Sequence, residues 1–279
     1  MSVKIIVDST VDMNPGMEAK VTVVPLTIRF GEKEYVSGVD IDARRFYEML
    51  VESDVLPTTS QPTPYAFEQV FTEAVEAGDE VVCITIASKL SGTYQSATIA
   101  AENFPGKVFV VDSKNATIAS GILAEYAVSL ADQGRTAREI YEELAVQRDK
   151  VKLLAMVDTL EYLKKGGRVS ATVAFAGGLL NIKPVISVED GEVKMMGKAR
   201  GSKQANNLLV QMIQSCGVDF TKPLLLGYTG LSDVLLQKYM VDSAALWEGH
   251  RQALPTTIVG SVIGVHAGPG AVAVAFFAE

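Results

Sequence analysis

The chain has 279 residues, of which 48% are hydrophobic and 21% are charged, and its formal net charge is −8. This composition supports a packed core and argues against a disordered chain. The acidic balance, with a pI near 5.0, disfavours a general nucleic-acid-binding role. Cys83 and Cys216 form no close-spaced motif. A reducing cytoplasm is therefore the expected location, and Cys83 is expected to be a core residue.

The first 157 residues alternate strands and helices in the way that is typical of α/β folds. Short apolar runs predict strands at 3–7, 21–30, 33–36, 81–87, 107–111 and 151–157. Helical spacing and capping residues predict helices at 42–53, 63–77, 93–102, 116–133 and 136–149. The segments 21–30 and 33–36 are expected to form a hairpin, and 56–64 a rigid, proline-rich loop. This alternation predicts an α/β lobe over 1–158 with a largely parallel sheet flanked by helices.

After Asp158 the pattern predicts a second, mixed α+β lobe over 159–279. A helix is expected to end in the sequence 164–168, and a hairpin is expected to turn at 190–191 between strands at 184–188 and 193–196. Further helices are predicted at 202–216 and 232–248, and a strand at 223–229. The uncharged run 254–278 is long enough to span a bilayer, but its prolines and glycines exclude a membrane helix. It is predicted to form two buried strands around a Gly-Pro-Gly turn.

Short polar residues follow several predicted strands, at the strand ends where open α/β sheets bind ligands. The turn at Ser91 joins a buried strand to a helix, so its hydroxyls and the unpaired N–H groups favour an anion. A simple N-cap role for Ser91 is the alternative. His266 lies in an uncharged run and needs a partner, whether its role is structural or ligand-binding. The polar residues are Asp8-Ser9, 58–62, Ser91-Gly-Thr93, Asp112-Ser113 and His266.

Several kinds of catalytic and metal site are excluded by the motifs. The sequence has no Gly-x-Ser-x-Gly elbow, and its two histidines leave few ways to build a Ser-His-Asp triad. Two isolated histidines and two isolated cysteines make no spaced set of zinc ligands. No pair of acidic residues stands out as acid and base. The sequence therefore predicts no catalytic residue, no metal and no cofactor.

Seven motifs, in order along nearly the whole chain, resemble the signatures of the DegV family. The resemblance implies a DegV-like fold of two lobes, with a long-chain fatty acid of C14 to C18 held in an apolar tunnel. It also implies that a separate fatty acid kinase converts the presented carboxylate to an acyl-phosphate, in fatty acid metabolism and phospholipid synthesis. The motifs are Asp8-Ser-Thr-x-Asp12, Thr59-Ser-Gln-Pro62, Leu90–Ala97, Val111-Asp-Ser113, Leu160–Arg168, Ile182-Lys-Pro184 and Gly264–Gly270.

The same resemblance implies which residues hold the ligand. Thr59, Ser91 and His266 correspond to the carboxylate ligands, and Thr93, in the same turn as Ser91, is a further predicted ligand-binding residue. The small-residue segment 169–182 is a predicted tunnel wall, although ordinary helix packing explains its composition equally well. A lipid carrier without chemistry of its own is favoured. A small-molecule hydrolase or phosphotransferase acting at the same anion site is the alternative.

Positive charge is concentrated between residues 164 and 203, where eight basic side chains meet three acidic ones in an otherwise acidic chain. Such a segment favours contact with an acidic partner or a phosphate. Arg168 and Arg200 are therefore predicted to face the kinase. The alternative for Arg168 is a capping role at the end of its helix, where a cation is favoured. No nucleic-acid partner and no stable membrane anchor are expected.

Overall fold

The structure is a computed structural model, and it describes residues 2–169, 181–249 and 254–279. Within these ranges the chain forms three sheets, ten α-helices and one 3-10 helix, Met17–Lys20. The strands are β1 (Val3–Asp8), β2 (Val21–Val24), β3 (Thr27–Phe30), β4 (Lys33–Val36), β5 (Thr58–Ser60), β6 (Glu80–Thr85), β7 (Val108–Asp112), β8 (Val151–Met156), β9 (Ile182–Glu189), β10 (Glu192–Arg200), β11 (Leu225–Tyr228), β12 (Thr256–Ile258) and β13 (Val272–Phe277). The helices are α1 (Ala43–Glu52), α2 (Pro64–Glu76), α3 (Thr93–Ala101), α4 (Thr117–Asp132), α5 (Ala137–Gln147), α6 (Glu161–Lys165), α7 (Gly201–Cys216), α8 (Val234–Asp242), α9 (Ala244–Trp247) and α10 (Ser261–Ala267).

The first sheet is parallel, with the strand order β2-β1-β6-β7. Its central strands are apolar on both faces because helices cover both sides. Phe67 and Phe71 of α2 and Ala97 of α3 pack on the face that carries Ile6 and Cys83. Helices α4 and α5 cover the opposite face. This arrangement confirms the predicted α/β lobe, and Cys83 is a fully buried core residue as expected.

The second sheet is mixed, with the strand order β10-β9-β8-β13-β11-β12. Helices α7 and α8 pack on one of its faces. Helix α4 lies on the other face, so that its buried residues join one core with β1 and β13. A helix that is apolar on nearly all sides needs such a position between two layers. The predicted second lobe of mixed structure is thereby confirmed.

The structure places β8 in this second sheet, and the prediction that it continues the first lobe's parallel sheet is wrong. β8 pairs antiparallel with β9 and with β13. Its sequence predicts a buried strand correctly, but a short apolar run does not specify its partners. The division of the chain near residue 158 stays a prediction.

The third sheet, β4-β3-β5, corrects two predictions near the N-terminus. The predicted strand 21–30 is two strands separated at Pro25, which has no N–H to donate to a ladder. β2 joins the parallel sheet, and β3 forms the expected hairpin with β4. The predicted loop 56–64 contains β5, which pairs with β3 so that Thr59 lies opposite Ile28. A fixed strand therefore positions Thr59.

The C-terminal run contains a helix that the sequence did not predict. β12 and β13 are the two expected strands, but α10 lies between them. Its sequence, rich in valine and glycine, has low helix propensity, and packing stabilises it. Val262 and Val265 of α10 lie in one apolar cluster with Phe46 and Tyr47 of α1. The predicted helix 232–248 is also broken, at Ser243, into α8 and α9. None of the helices in the described residues is long and apolar enough to cross a membrane.

Candidate functional site

A cavity that is partly open to solvent lies against the α4 face of the six-stranded sheet. Three alanines line it, Ala155 of β8, Ala271 immediately before β13 and Ala273 of β13, and their small side chains leave space on this face. We call these three residues the alanine floor. Ala155 lies opposite Ala273 on one side and opposite Ile186 on the other. Ligand sites in proteins are concave and largely apolar, with a few polar groups that fix the orientation of the ligand. The cavity has the lining of such a site.

Four polar residues that the sequence analysis singled out line this cavity together. Thr59 comes from β5, Ser91 from the turn before α3, Arg168 from the segment after α6, and His266 from the last turn of α10. All four are half-buried, whereas the alanine floor is buried. The polar residues therefore mark the place where the cavity opens. We call this set the polar mouth.

Thr59 and His266 are in direct contact across the mouth. Thr59 Oγ1 lies 3.0 Å from His266 Nε2. His266 Nδ1 is buried and has no hydrogen-bond partner among the described residues. Burial, and secondarily the charge of Arg168, lowers the pKa of His266 to about 4. The imidazole is therefore neutral at pH 7, and one of its nitrogens is a hydrogen-bond donor and the other an acceptor.

The turn at Ser91 is held together by its own hydroxyls. Ser91 Oγ lies 2.9 Å from Thr93 Oγ1 and accepts a longer hydrogen bond of 3.4 Å from Thr93 N. Gly92, not Ser91, occupies the N-cap position of α3 and makes no side-chain cap, so the N-cap interpretation of Ser91 is wrong. Thr93 is fully buried and does not line the cavity. Its contact with Ser91 makes it a support of the mouth.

Gln61 connects the two polar loops, a relationship that the sequence analysis missed. Its amide lies against the Cα of Gly92, where no Cβ fits, and Nε2 donates to Ser96 Oγ at 3.1 Å. The loop that carries Thr59 is thereby fixed to the turn that carries Ser91. Gln61 belongs to the Thr-Ser-Gln-Pro motif, and its place in that motif is the sequence signal that could have identified it.

Arg168 lies at the cavity and bridges two parts of the mouth. Its Nε donates to Leu90 O at 3.1 Å, next to Ser91, and its Nη1 donates to Gly166 O at 2.6 Å. Gly166 packs so closely on His266 Nδ1 that a Cβ would overlap the ring. The bond to Gly166, the C-cap of α6, is the contact that the capping alternative predicted. The position of Arg168 beside the cavity was not predicted.

The other predicted features lie elsewhere. Arg200 is exposed at the end of β10, and its backbone N donates to Gln204 Oε1 at 3.1 Å. It does not line the cavity, and the partner-facing roles of both arginines stay predictions. The segment predicted as a tunnel wall, 169–182, lies mostly outside the described residues. Within the described ranges no group of three or more His, Cys, Asp or Glu is arranged to hold a metal.

The fold and the cavity define a class of protein: an α/β protein with three sheets in the described residues and an apolar cavity that opens through a polar mouth. The DegV family model matches residues 2–279, and the chain belongs to the DegV family. A DegV domain-containing protein of Caldanaerobacter subterraneus is 36% identical over 259 residues, which are 92% of this chain and 91% of that protein.

Two solved structures extend the comparison to the fold. A fatty-acid-binding DegV-family protein of Thermus thermophilus is 31% identical, with a TM-score of 0.89 and complete coverage of both chains. A stearic-acid-binding protein of Eubacterium ventriosum is 28% identical, with a TM-score of 0.86, and the match covers 99% of this chain and 98% of that one. These matches confirm the DegV-like fold.

Proposed function

We propose that this protein binds a long-chain fatty acid, with the acyl chain in the cavity and the carboxylate at the polar mouth. The observation that carries the proposal is that an aliphatic cavity opens through a mouth of hydroxyls, a neutral imidazole and a guanidinium. The whole-chain likeness to proteins that bind fatty acids supports it. An acyl chain and its carboxylate match the two parts of the site.

The acyl chain supplies most of the affinity in this account. A C16 acid has about 14 methylenes, and burying each contributes about 0.8 kcal/mol, roughly 11 kcal/mol before the cost of association. The head group then needs orientation more than strong attraction. Thr59, Ser91 and neutral His266 offer donors for a carboxylate without a tight ion pair. Arg168 adds positive potential while its guanidinium stays bonded to two backbone carbonyls.

The next step of the proposal is that the bound carboxylate is presented to a separate fatty acid kinase, which forms the acyl-phosphate for phospholipid synthesis. This protein acts as a carrier and supplies no catalytic group. The exposed position of Arg200 on the edge strand β10, with Lys194 and Lys198 at alternate exposed positions, supports a basic contact surface for an acidic partner or for phosphate.

One observation favours the alternative, a hydrolase or phosphotransferase at the same site. The contact of 3.0 Å between Thr59 Oγ1 and His266 Nε2 has the geometry of a hydroxyl nucleophile with its base. Two features weigh against it. A pKa of about 4 makes His266 a poor base at pH 7, and no carboxylate among the described residues bonds its Nδ1. The carrier function is the better supported.

Uptake of oleate by delipidated protein separates these functions. The carrier account predicts saturable, one-to-one binding that is retained in Thr59→Val with lower affinity, and no turnover of acyl esters or acyl phosphates. Ester or phosphate hydrolysis by the wild type that disappears in both Thr59→Val and His266→Gln would establish the enzyme instead. Absence of oleate and palmitate binding would remove the carrier function.

A further inference from the structure

Asp12, in the loop after β1, ties together three distant parts of the chain beside the cavity. Its Oδ1 accepts from the N–H of Gly260 at 2.8 Å, and its Oδ2 accepts from Thr117 Oγ1 at 2.6 Å. Its own N–H donates to Thr117 O at 3.4 Å. Thr117 begins α4, and Gly260 is the residue before α10. One carboxylate therefore connects the first lobe to the helix that carries His266.

The start of α10 depends on groups from outside the helix. Gly260, its N-cap residue, has no side chain for capping, and the Asp12 carboxylate 248 residues away supplies the acceptor. A Cβ on Gly260 would lie 2.8 Å from Asp12 Oδ1, so the carboxylate lies directly against this backbone. A negative charge at a helix N-terminus is favoured by the helix dipole. Tyr47 OH adds a second tie by donating to Val259 O at 3.0 Å.

The same carboxylate supports an unusual backbone conformation at the cavity wall. Thr117 has a φ of +51°, which is strained for a β-branched residue. It lines the cavity, as do Val259, Val262 and His266 around α10. Such strain persists where surrounding contacts hold it and is concentrated at functional sites. Asp12 thus contacts the cavity wall on two sides, through Thr117 and through α10.

The charged form of the Asp12 side chain is unfavourable in its buried position. Burial raises its pKa to about 7, against the hydrogen bonds from Thr117 and Gly260, and the nearby Asp8 adds to this rise. Tyr47 is the other titratable group that faces it, and its own pKa is raised by burial and by Asp12. No Lys or Arg of the described residues forms a salt bridge with Asp12. An asparagine would keep the acceptor at Gly260 without this cost.

We propose that Asp12 is a positioning residue whose carboxylate holds α10, and with it His266, at the polar mouth. The inference rests on the proposed function, because His266 is its point of contact with the fatty acid. Burial makes the charged form of Asp12 unfavourable in this position, so its ionisation favours states in which α10 moves away and water reaches the carboxylate. The hold on α10 and His266 is then weaker, and the fatty acid is released faster.

The test measures the dissociation rate of oleate between pH 6 and pH 8 in wild type, Asp12→Asn, His266→Gln and the double variant. Wild type is expected to release oleate about fivefold faster at pH 8 than at pH 6, within the roughly tenfold per pH unit that one titrating group allows. We call this change of the release rate between pH 6 and pH 8 the pH step. The pH step is expected to vanish in Asp12→Asn and in His266→Gln. In the double-mutant cycle, Asp12→Asn should add nothing to His266→Gln.

Asp8→Asn is the matched control, because Asp8 is the neighbouring buried carboxylate and bonds Thr10 and Ile86 instead of α10. It is expected to retain the pH step. A pH step that persists in Asp12→Asn, or an equal effect of Asp12→Asn with and without His266, overturns the inference. If Asp12→Asn does not fold, the pH profiles of wild type and His266→Gln decide alone. A wild type that binds no oleate rejects the proposed function instead.

Discussion

Thr59 and His266 are 207 residues apart in the chain, and their side chains meet at 3.0 Å at the mouth of the cavity. Two short elements create this contact: β5 is fixed by pairing with β3, and α10 is fixed by packing on α1. The two elements are therefore part of the proposed binding site as well as of the fold. A change that loosens either element is expected to loosen the head-group site.

The hydroxyl of Ser91 is expected to contribute to head-group binding without dominating it. Ser91→Ala should weaken fatty acid binding by about 1–2 kcal/mol, the scale of a hydrogen bond to a charged group, because the acyl chain keeps most of the affinity. Equilibrium titration with oleate measures the change. Ser60→Ala, on an exposed position of β5 outside the cavity lining, is the control and should bind as wild type. Equal affinity of all three proteins contradicts the placement of the head group.

The alanine floor offers a direct test of where the acyl chain lies. Ala273→Leu should occupy cavity space and lower the binding capacity for palmitate with little loss of stability. Ala275→Leu is the matched control, because Ala275 lies two residues along the same strand, fully buried and outside the cavity lining. Overpacking there should lower the stability by about 1–3 kcal/mol and leave binding by the folded protein intact. Normal palmitate binding by Ala273→Leu together with loss of binding by folded Ala275→Leu would place the acyl chain elsewhere.

Much of this architecture could be predicted from the sequence, because each buried strand and amphipathic helix carries a local signal. Thr59, Ser91 and His266 were found through motifs and strand ends, and the structure brings them together at one cavity. Helix α10 was missed because its sequence has poor helix propensity and packing on α1 stabilises it. The cavity position of Arg168 and the tie from Asp12 to Gly260 depend on contacts between distant segments. No local pattern encodes such contacts.

Titration of His266 is expected to occur far below the usual histidine range. Its pKa is lowered to about 4 by burial and by Arg168. The unfolded chain therefore binds a proton near pH 6.5, before the folded protein does. The neutral ring contributes stability above about pH 6.5, and that contribution is lost as the pH falls towards 4, by at most about 1.4 kcal/mol per unit.

Comparison of wild type with His266→Gln by denaturant unfolding at pH 7 and pH 5 measures this loss. Wild type should lose stability relative to the variant at the lower pH. NMR of the imidazole in the folded protein provides an independent check. An ordinary midpoint near 6.5 for His266 would mean that the ring is not buried as described.

The two arginines of the basic segment are expected to behave differently. Arg200→Glu should leave oleate affinity within about twofold and lower kinase-dependent acyl-phosphate formation at least about tenfold, a difference of roughly 1.4 kcal/mol. The wild-type reaction should slow as salt rises. Arg168→Glu should also weaken fatty acid binding, because it breaks the bonds to Leu90 O and Gly166 O. Arg44→Glu, on an exposed position of α1, is the charge control, and an equal loss of transfer in this variant would contradict a specific surface.

Mass spectrometry of the purified protein tests the central claim most directly. Native spectra should show a bound mass on nearly every chain, and organic extraction should release C14 to C18 fatty acids at close to one per chain. The Ala273→Leu protein, prepared in parallel, should carry markedly less. A wild-type protein that is free of lipid, and that takes up neither oleate nor palmitate when these are added, would contradict the account.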